Sequence, residues 1–401
     1  MGMTKIPLLD FSRLAPEERT RLKEAFDRVL ASGRFILGEE VAAFERECAD
    51  FLGVTHAIGV SSGTDALLLS LVALGVGPGD EVICPAYTFF ATAGSIARTG
   101  AKPVFADSCP GCWNLSPREV VRKRTPRTRA LIPVHLFGQP AAMSRLLGLS
   151  RESGMALIED AAQAFGARSE GKAAGGRGTL GCFSFFPTKN LGALGDAGLV
   201  TTEDGALAEK VRALRVHGSR IKYRHEWVGG NFRIDALQAA FLRARLPGVE
   251  AALEARRGNA ALYEEAFLAS GAAALCPEPC RCCGEEAEVP LGPPPAPILL
   301  PRDVRGEHTW NQYVIRYPAD RDGLRRFLAE EGVQTEVYYP LPLHRQPCFL
   351  DKEGEAEELP VAERLARESL ALPIFPGLTP EEIRRVVDLT VRFASRPVSR
   401  M

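Results

Sequence analysis

Cys182-Phe183-Ser184-Phe185-Phe186-Pro187-Thr188-Lys189-Asn190-Leu191, followed by Gly192, Gly195 and Gly198, decides how this 401-residue chain is read. An apolar run closed by proline predicts a buried strand, and the lysine stands where that strand gives way to a glycine-rich loop. An amine becomes nucleophilic near neutral pH only when desolvation or a neighbouring cation lowers its pKa. The aromatic run before Lys189 supplies the desolvation, and the glycines after it leave room for something flat. Lys189 therefore reads as a Schiff-base lysine. A lysine that merely ends a strand in solvent is the competing reading, and the rest of the chain decides between them.

Outward from this stretch, short apolar runs at 56–60, 81–84, 103–106, 130–134, 156–159, 182–185 and 199–202 alternate with amphipathic segments such as 65–74 and 141–153. Strands apolar on both faces with helices between them predict an α/β fold whose seven-stranded, mostly parallel sheet is flanked by helices. From about residue 246 the pattern changes to a long helix at 249–268, a Pro/Cys-rich stretch, and a strand at 311–316. The expected division is a large domain over 13–248 and a smaller α/β C-terminal domain over 249–401, joined by residues 1–12 and carrying an insertion near 276–301.

Forty-nine basic against 50 acidic residues leave a net charge of -1, which provides no field for nucleic acid or an anionic membrane surface. The start, Met1 to Ile6, lacks an apolar signal core, and the apolar stretch 66–76 is too short and too interrupted to span a bilayer. A cytoplasmic location follows as the expectation. Of ten cysteines, Cys48, Cys84, Cys182 and Cys348 read as core fillers, and Cys109-Pro110-Gly111-Cys112 as a tight turn rather than a redox pair. Cys276, Cys280, Cys282 and Cys283 lack the paired spacing of a zinc site, so an exposed loop is expected there and no metal.

Two further motifs stand at predicted strand ends. Ser61-Ser62-Gly63-Thr64-Asp65 follows the first strand and opens a helix, an arrangement that aims free N–H groups and a positive helix end at an anion. A plain Ser/Thr helix cap is the alternative. Glu159-Asp160-Ala161-Ala162-Gln163 follows the strand at 156–158, placing Asp160 where α/β sheets keep their ligand sites. Such a carboxylate either caps a helix or pairs with a protonated ring nitrogen, the partner that pyridoxal phosphate needs to act as an electron sink. Within 85–92, Phe89 or Tyr87 offers a ring face to a planar cofactor.

Gly63-Thr64, Tyr87-Thr88-Phe89, Glu159 to Gln163, Ser184 to Lys189 and Gly229-Gly230-Asn231-Phe232-Arg233, in that order, resemble the DegT/DnrJ-type nucleotide-sugar aminotransferases. These are fold type I pyridoxal phosphate enzymes. The resemblance spans nearly the whole chain and is weakest over 276–301. It implies pyridoxal 5'-phosphate held by Lys189, with Asp160 on the pyridine nitrogen, Gln163 by the ring oxygen and Phe89 stacked on the ring. It further implies that Ser62, Gly63, Thr64 and Ser184 bind the phosphate, and that Asn231 of a second subunit completes the site in a homodimer.

Asp65 and the segment Tyr338-Tyr339-Pro340-Leu341-Pro342-Leu343-His344-Arg345-Gln346-Pro347 look most like members that aminate a 3-keto sugar with glutamate as donor. The implied substrates are a dTDP-3-keto-6-deoxyhexose or UDP-3-keto-N-acetylglucosaminuronate; Tyr338 stands where members acting on the uronate often have His. Arg233 suits a substrate carboxylate, the α-carboxylate of glutamate, or a structural ion pair near the dimer interface. Tyr338, Tyr339 and His344 are candidates for touching the sugar, and residues 34–38 for another wall of its pocket. Amination at the 4-position and a regulatory homologue without catalysis are the alternatives. Sugar dehydratases on this scaffold replace the lysine by histidine, which Lys189 argues against.

Overall fold

The computed structural model describes residues 5–276, 296–304, 306, 308–350 and 357–396; Cys280, Cys282 and Cys283 lie outside them. Two helices, α1 (Pro16–Ser32) and α2 (Glu39–Leu52), lead in, each ended by a glycine in the left-handed region, Gly33 and Gly53. The alternation legible in the sequence then follows: β1 (His56–Val60), α3 (Gly63–Ala73), β2 (Glu81–Pro85), α4 (Ala91–Arg98), β3 (Lys102–Ala106), α5 (Pro117–Lys123), β4 (Thr128–Leu131), α6 (Met143–Ser153) and β5 (Ala156–Asp160). A short ribbon of β6 (Arg168–Ser169) and β7 (Lys172–Ala173) precedes β8 (Leu180–Ser184) and β9 (Gly198–Thr202). After α7 (Gly205–Leu214) comes an exposed hairpin, β10 (Ser219–Ile221) and β11 (Arg224–His225), and then α8 (Ala236–Arg245).

Seven of these strands form one sheet in the order β1-β9-β8-β5-β4-β2-β3. All neighbours are parallel except at β9, which runs antiparallel to both β8 and β1. Since β1 is antiparallel to a strand that is itself antiparallel to β8, β1 runs with the parallel set. The segments leaving β1, β2, β5 and β8 therefore emerge at one edge of the sheet, where open α/β sheets gather their ligand-binding residues. Helices cover both faces, so β2 and β9 are buried along their whole length.

Beyond α9 (Val249–Ala269) a second sheet forms in the order β12 (Ala273–Leu275), β13 (Ile298–Leu300), β14 (Tyr313–Arg316), β15 (Ser369–Leu372), flanked by α10 (Arg321–Glu330), α11 (Pro360–Glu368) and α12 (Pro380–Ala394). Tyr263, Phe267, Tyr313 and Phe375 fill its core, and Ile6 bonds through its backbone to Gly332 and Gln334 at the same core.

Two cysteine expectations need correction. Cys276 is buried at the end of β12 rather than exposed, because its chain continues the β12–β13 pairing through a bond to Leu300. Cys348 is exposed and fills no core. The 109–112 segment does turn tightly, with Trp113 N–H donating to the Cys109 carbonyl at 2.8 Å, and both Cys109 and Cys112 are buried. Among the described residues no group of metal-ligating side chains gathers, and no helix is long and apolar enough to cross a membrane.

Candidate active site

Lys189 follows β8 in a turn closed by its own N–H to the Phe186 carbonyl at 2.9 Å. The side chain keeps part of its surface open while protein encloses its amine. That enclosure pulls its pKa down to about 8, against the opposing pull of the Asp160 carboxylate. Asp160, at the end of β5, is 4% exposed, and its burial raises its pKa. Two donors steady the carboxylate: the Thr92 hydroxyl at 2.8 Å and the Ala162 N–H at 3.2 Å. Lysine and carboxylate thus face one another at the sheet edge.

The segment leaving β1 forms the N-terminus of α3. Ser62 caps it by accepting from Asp65 N–H at 3.0 Å, and the Asp65 carboxylate accepts from Ser61 and Ser62 hydroxyls at 2.6 and 3.1 Å. The cap reading therefore holds for Ser62 and also engages Asp65. Gly63 packs so closely on β8 that a Cβ there would stand 2.7 Å from the Ser184 Cβ. Gly198 is as tight, with an added Cβ 2.4 Å from the Ser62 carbonyl carbon. Two glycines let three segments distant in sequence meet as a cradle, with Ser184 and free helix N–H groups around it.

The aromatic candidates separate cleanly. Tyr87 is buried, its hydroxyl donating to the Tyr338 carbonyl and lying within hydrogen-bond distance of the Ser369 hydroxyl at 2.9 Å, so it is not available to stack on a ligand. Phe89 is 56% exposed and stands beside Tyr339, with ring centroids 6.0 Å apart. Gln163 is fixed at both ends of its amide: Oε1 accepts from Phe137 N–H at 2.6 Å, and Nε2 donates to the Tyr339 hydroxyl at 2.8 Å. Tyr339 is thereby drawn to the cluster from the far end of the chain. Burial raises the pKa of both Tyr338 and Tyr339.

Of the other candidates, Asn231 is exposed, bridging Val216 through its backbone. Arg233 lies against the end of β1 opposite Val60, with its Nε sealed and without a partner among the described residues. Residues 34–38 are largely open, Phe35 and Ile36 among them. His344 is 3% exposed, bonded through Nε2 to Glu363 at 3.1 Å and packed by Phe105. Its short turn folds inward because Leu343 N–H bonds to the Ala86 carbonyl at 2.7 Å. The sequence reading missed Thr92 as the hydroxyl that steadies Asp160; a threonine in the first turn of a buried helix is its only local signal.

The site has what a phosphorylated aromatic aldehyde requires: an amine with lowered pKa, a buried carboxylate, a close-packed cradle at a helix N-terminus and an open ring face. The chain is 44% identical over 389 residues to a pleiotropic regulatory protein of Geobacillus stearothermophilus, covering 97% of this chain and 98% of that one. Over the same spans it is 39% identical to a UDP-N-acetyl-3-dehydro-alpha-D-glucosamine 3-aminotransferase of Acidithiobacillus ferrooxidans. It is 41% identical to a dTDP-3-amino-3,4,6-trideoxy-alpha-D-glucose transaminase of Streptomyces venezuelae, covering 98% and 97%. The crystal structure of S. venezuelae DesV with a ketimine intermediate superposes with a TM-score of 0.87 at 40% identity, over 98% and 99% of the two chains. The sequence profile of one family matches residues 16–283 and 287–391. The chain belongs to the DegT/DnrJ/EryC1/StrS aminotransferase family.

Proposed function

We propose that this aminotransferase moves the amino group of glutamate onto a nucleotide-linked 3-keto sugar, for amino-sugar biosynthesis, as a cytoplasmic homodimer dependent on pyridoxal 5'-phosphate. The observation that carries the reading is the Lys189 amine, held at about 8 beside the buried Asp160 carboxylate. Relatives with 3-keto-sugar names, on both UDP and dTDP carriers, support the substrate class. A regulatory role is favoured only by the names of two relatives, one regulatory and one sensory, and the assembled lysine, carboxylate and cradle speak for catalysis.

When bound, pyridoxal phosphate supplies an aldehyde that accepts an amine and a ring that takes up the electron pair left by a departing proton. Lys189 Nζ would hold it and, once released, move a proton from the α-carbon of the donor. Asp160 would keep the ring nitrogen protonated, its position set by Thr92 and Ala162. Gly63, Thr64 and Ser184 would hold the phosphate on the N-terminus of α3, with Ser62 shaping that terminus as its cap. Gln163 Nε2 has one hydrogen committed to Tyr339 and a second to offer the ring oxygen. Phe89 would cover the ring. Tyr338, Tyr339 and Arg233 would meet the sugar or its carrier, and His344 would hold their segment in place through Glu363.

Exposed Phe26, Leu30, Phe35, Ile36 and Leu194 support a partner subunit over this face, and the exposure of Asn231 suits a residue given across that interface. The test is spectroscopic. Glutamate added to the yellow enzyme should shift its absorption band, and a 3-keto nucleotide sugar should restore it. Faster restoration by 4-keto sugars across a small panel would overturn the substrate class, and a protein that never colours would overturn the enzyme reading.

A further inference from the structure

Beside Lys189 lies a cavity of about 330 Å³, walled by the N-terminal segment, by Lys189 and Asn190, by the start of α9 and by residues 375–377. That volume is at the low end for ligand pockets and suits an amino acid better than a nucleotide sugar. Four arginines line it. Arg13 is paired with Asp10 at 3.0 Å and Glu382 at 2.6 Å, and Arg245 with Glu18 at 2.8 Å. These pairings use up both carboxylates of the lining, Asp10 and Glu18. Arg21, bonded to the Ala244 carbonyl, and Arg256 have no carboxylate partner among the described residues.

Arg256 is the unusual one. It is 4% exposed, and its Nη1 donates to the carbonyls of Trp310 and Ile374 at 3.1 and 3.0 Å. Its Nε and Nη2 make no hydrogen bond among the described residues. Burial lowers its pKa only to about 10, so it is charged at neutral pH. A buried cation without a counter-charge is costly, and the free edge of a guanidinium matches a carboxylate in two contacts.

We infer that this cavity receives a carboxylate of the amino donor, held on the free edge of Arg256 next to the lysine that handles the donor's amine. The identity of the occupant rests on the aminotransferase reading; the anion site itself rests on the cavity and its unbalanced charge. Glutarate, a dicarboxylate with no amine to react, is the probe, titrated calorimetrically into the holoenzyme. Ala252 lines the same cavity one helical turn before Arg256, so Ala252→Glu offers an internal carboxylate at i,i+4 without disturbing the two carbonyl bonds. Arg256→Lys keeps the charge and loses the fork.

Both variants should weaken glutarate binding about tenfold or more and raise the KM for glutamate in step, leaving the KM for the keto sugar unchanged. Glutarate binding by Ala252→Glu at wild-type strength would overturn the site. Loss of glutarate binding with an unchanged KM for glutamate would overturn the donor assignment, leaving a separate organic anion as the occupant. If no keto sugar were turned over while Ala252→Glu still lost glutarate, the site would stand and the substrate reading would fail.

Discussion

The Lys189 amine titrates near 8 because enclosure strips water from its charged form while Asp160 pulls the other way. Above that pH the folded chain has given up a proton that the unfolded chain still holds, so the penalty of burying the charge fades and stability rises with pH. In the cofactor-free protein, acylation of Lys189 should therefore inflect near pH 8, and Asp160→Asn should move the inflection lower by removing the opposing charge. Peptide mapping after pulse labelling would read it; an inflection in the range of exposed lysines would refute the argument. Lys189→Ala should reduce turnover by about 10³-fold while cofactor still binds non-covalently, measured by single-turnover absorbance. Lys189, Asp160 and Gly63 were legible in the sequence because each ends a strand or opens a helix within a few residues. Contacts such as Gln163 to Tyr339, 176 positions apart, and Thr92 to Asp160, 68 apart, leave no local trace. The burial of His344 has the same long-range origin, since it depends on Glu363 and Phe105.

Elements bring these residues together through close backbone approach rather than through long side chains. The N-terminus of α3 lies against β8 only because position 63 has no Cβ. Gly63→Ala should push the two apart, destabilise the fold by about 1–3 kcal/mol and raise the dissociation constant for the cofactor. Adding Ser184→Gly relieves most of the collision, so the double variant should recover melting temperature yet bind cofactor no better. Recovery of both would mean that the Ser184 hydroxyl contributes nothing to phosphate binding. The alternation of buried strands and amphipathic helices was readable from periodicity, whereas the reversed direction of β9 was not. An apolar strand buried on both faces reads identically in either direction.

For the whole molecule, the proposed dimer makes the active site a joint product of two chains. Lys189→Ala and Asn231→Ala should each be inactive or weak alone. If Asn231 serves the neighbouring site, refolding an equal mixture of the two variants should recover about a quarter of wild-type activity, because half of the dimers are mixed and each restores one site. If Asn231 serves its own chain, mixing gains nothing. The edge position of β1 has a consequence for synthesis on the ribosome. Its one neighbour in the sheet is β9, which lies beyond Lys189 in the chain, so β1 emerges unpaired and stays so until the lysine loop has followed it out. The proposed phosphate cradle at its end packs closely against Gly198, the first residue of that late strand. On the proposed assignment, a nascent chain has no finished cradle until it already contains Lys189.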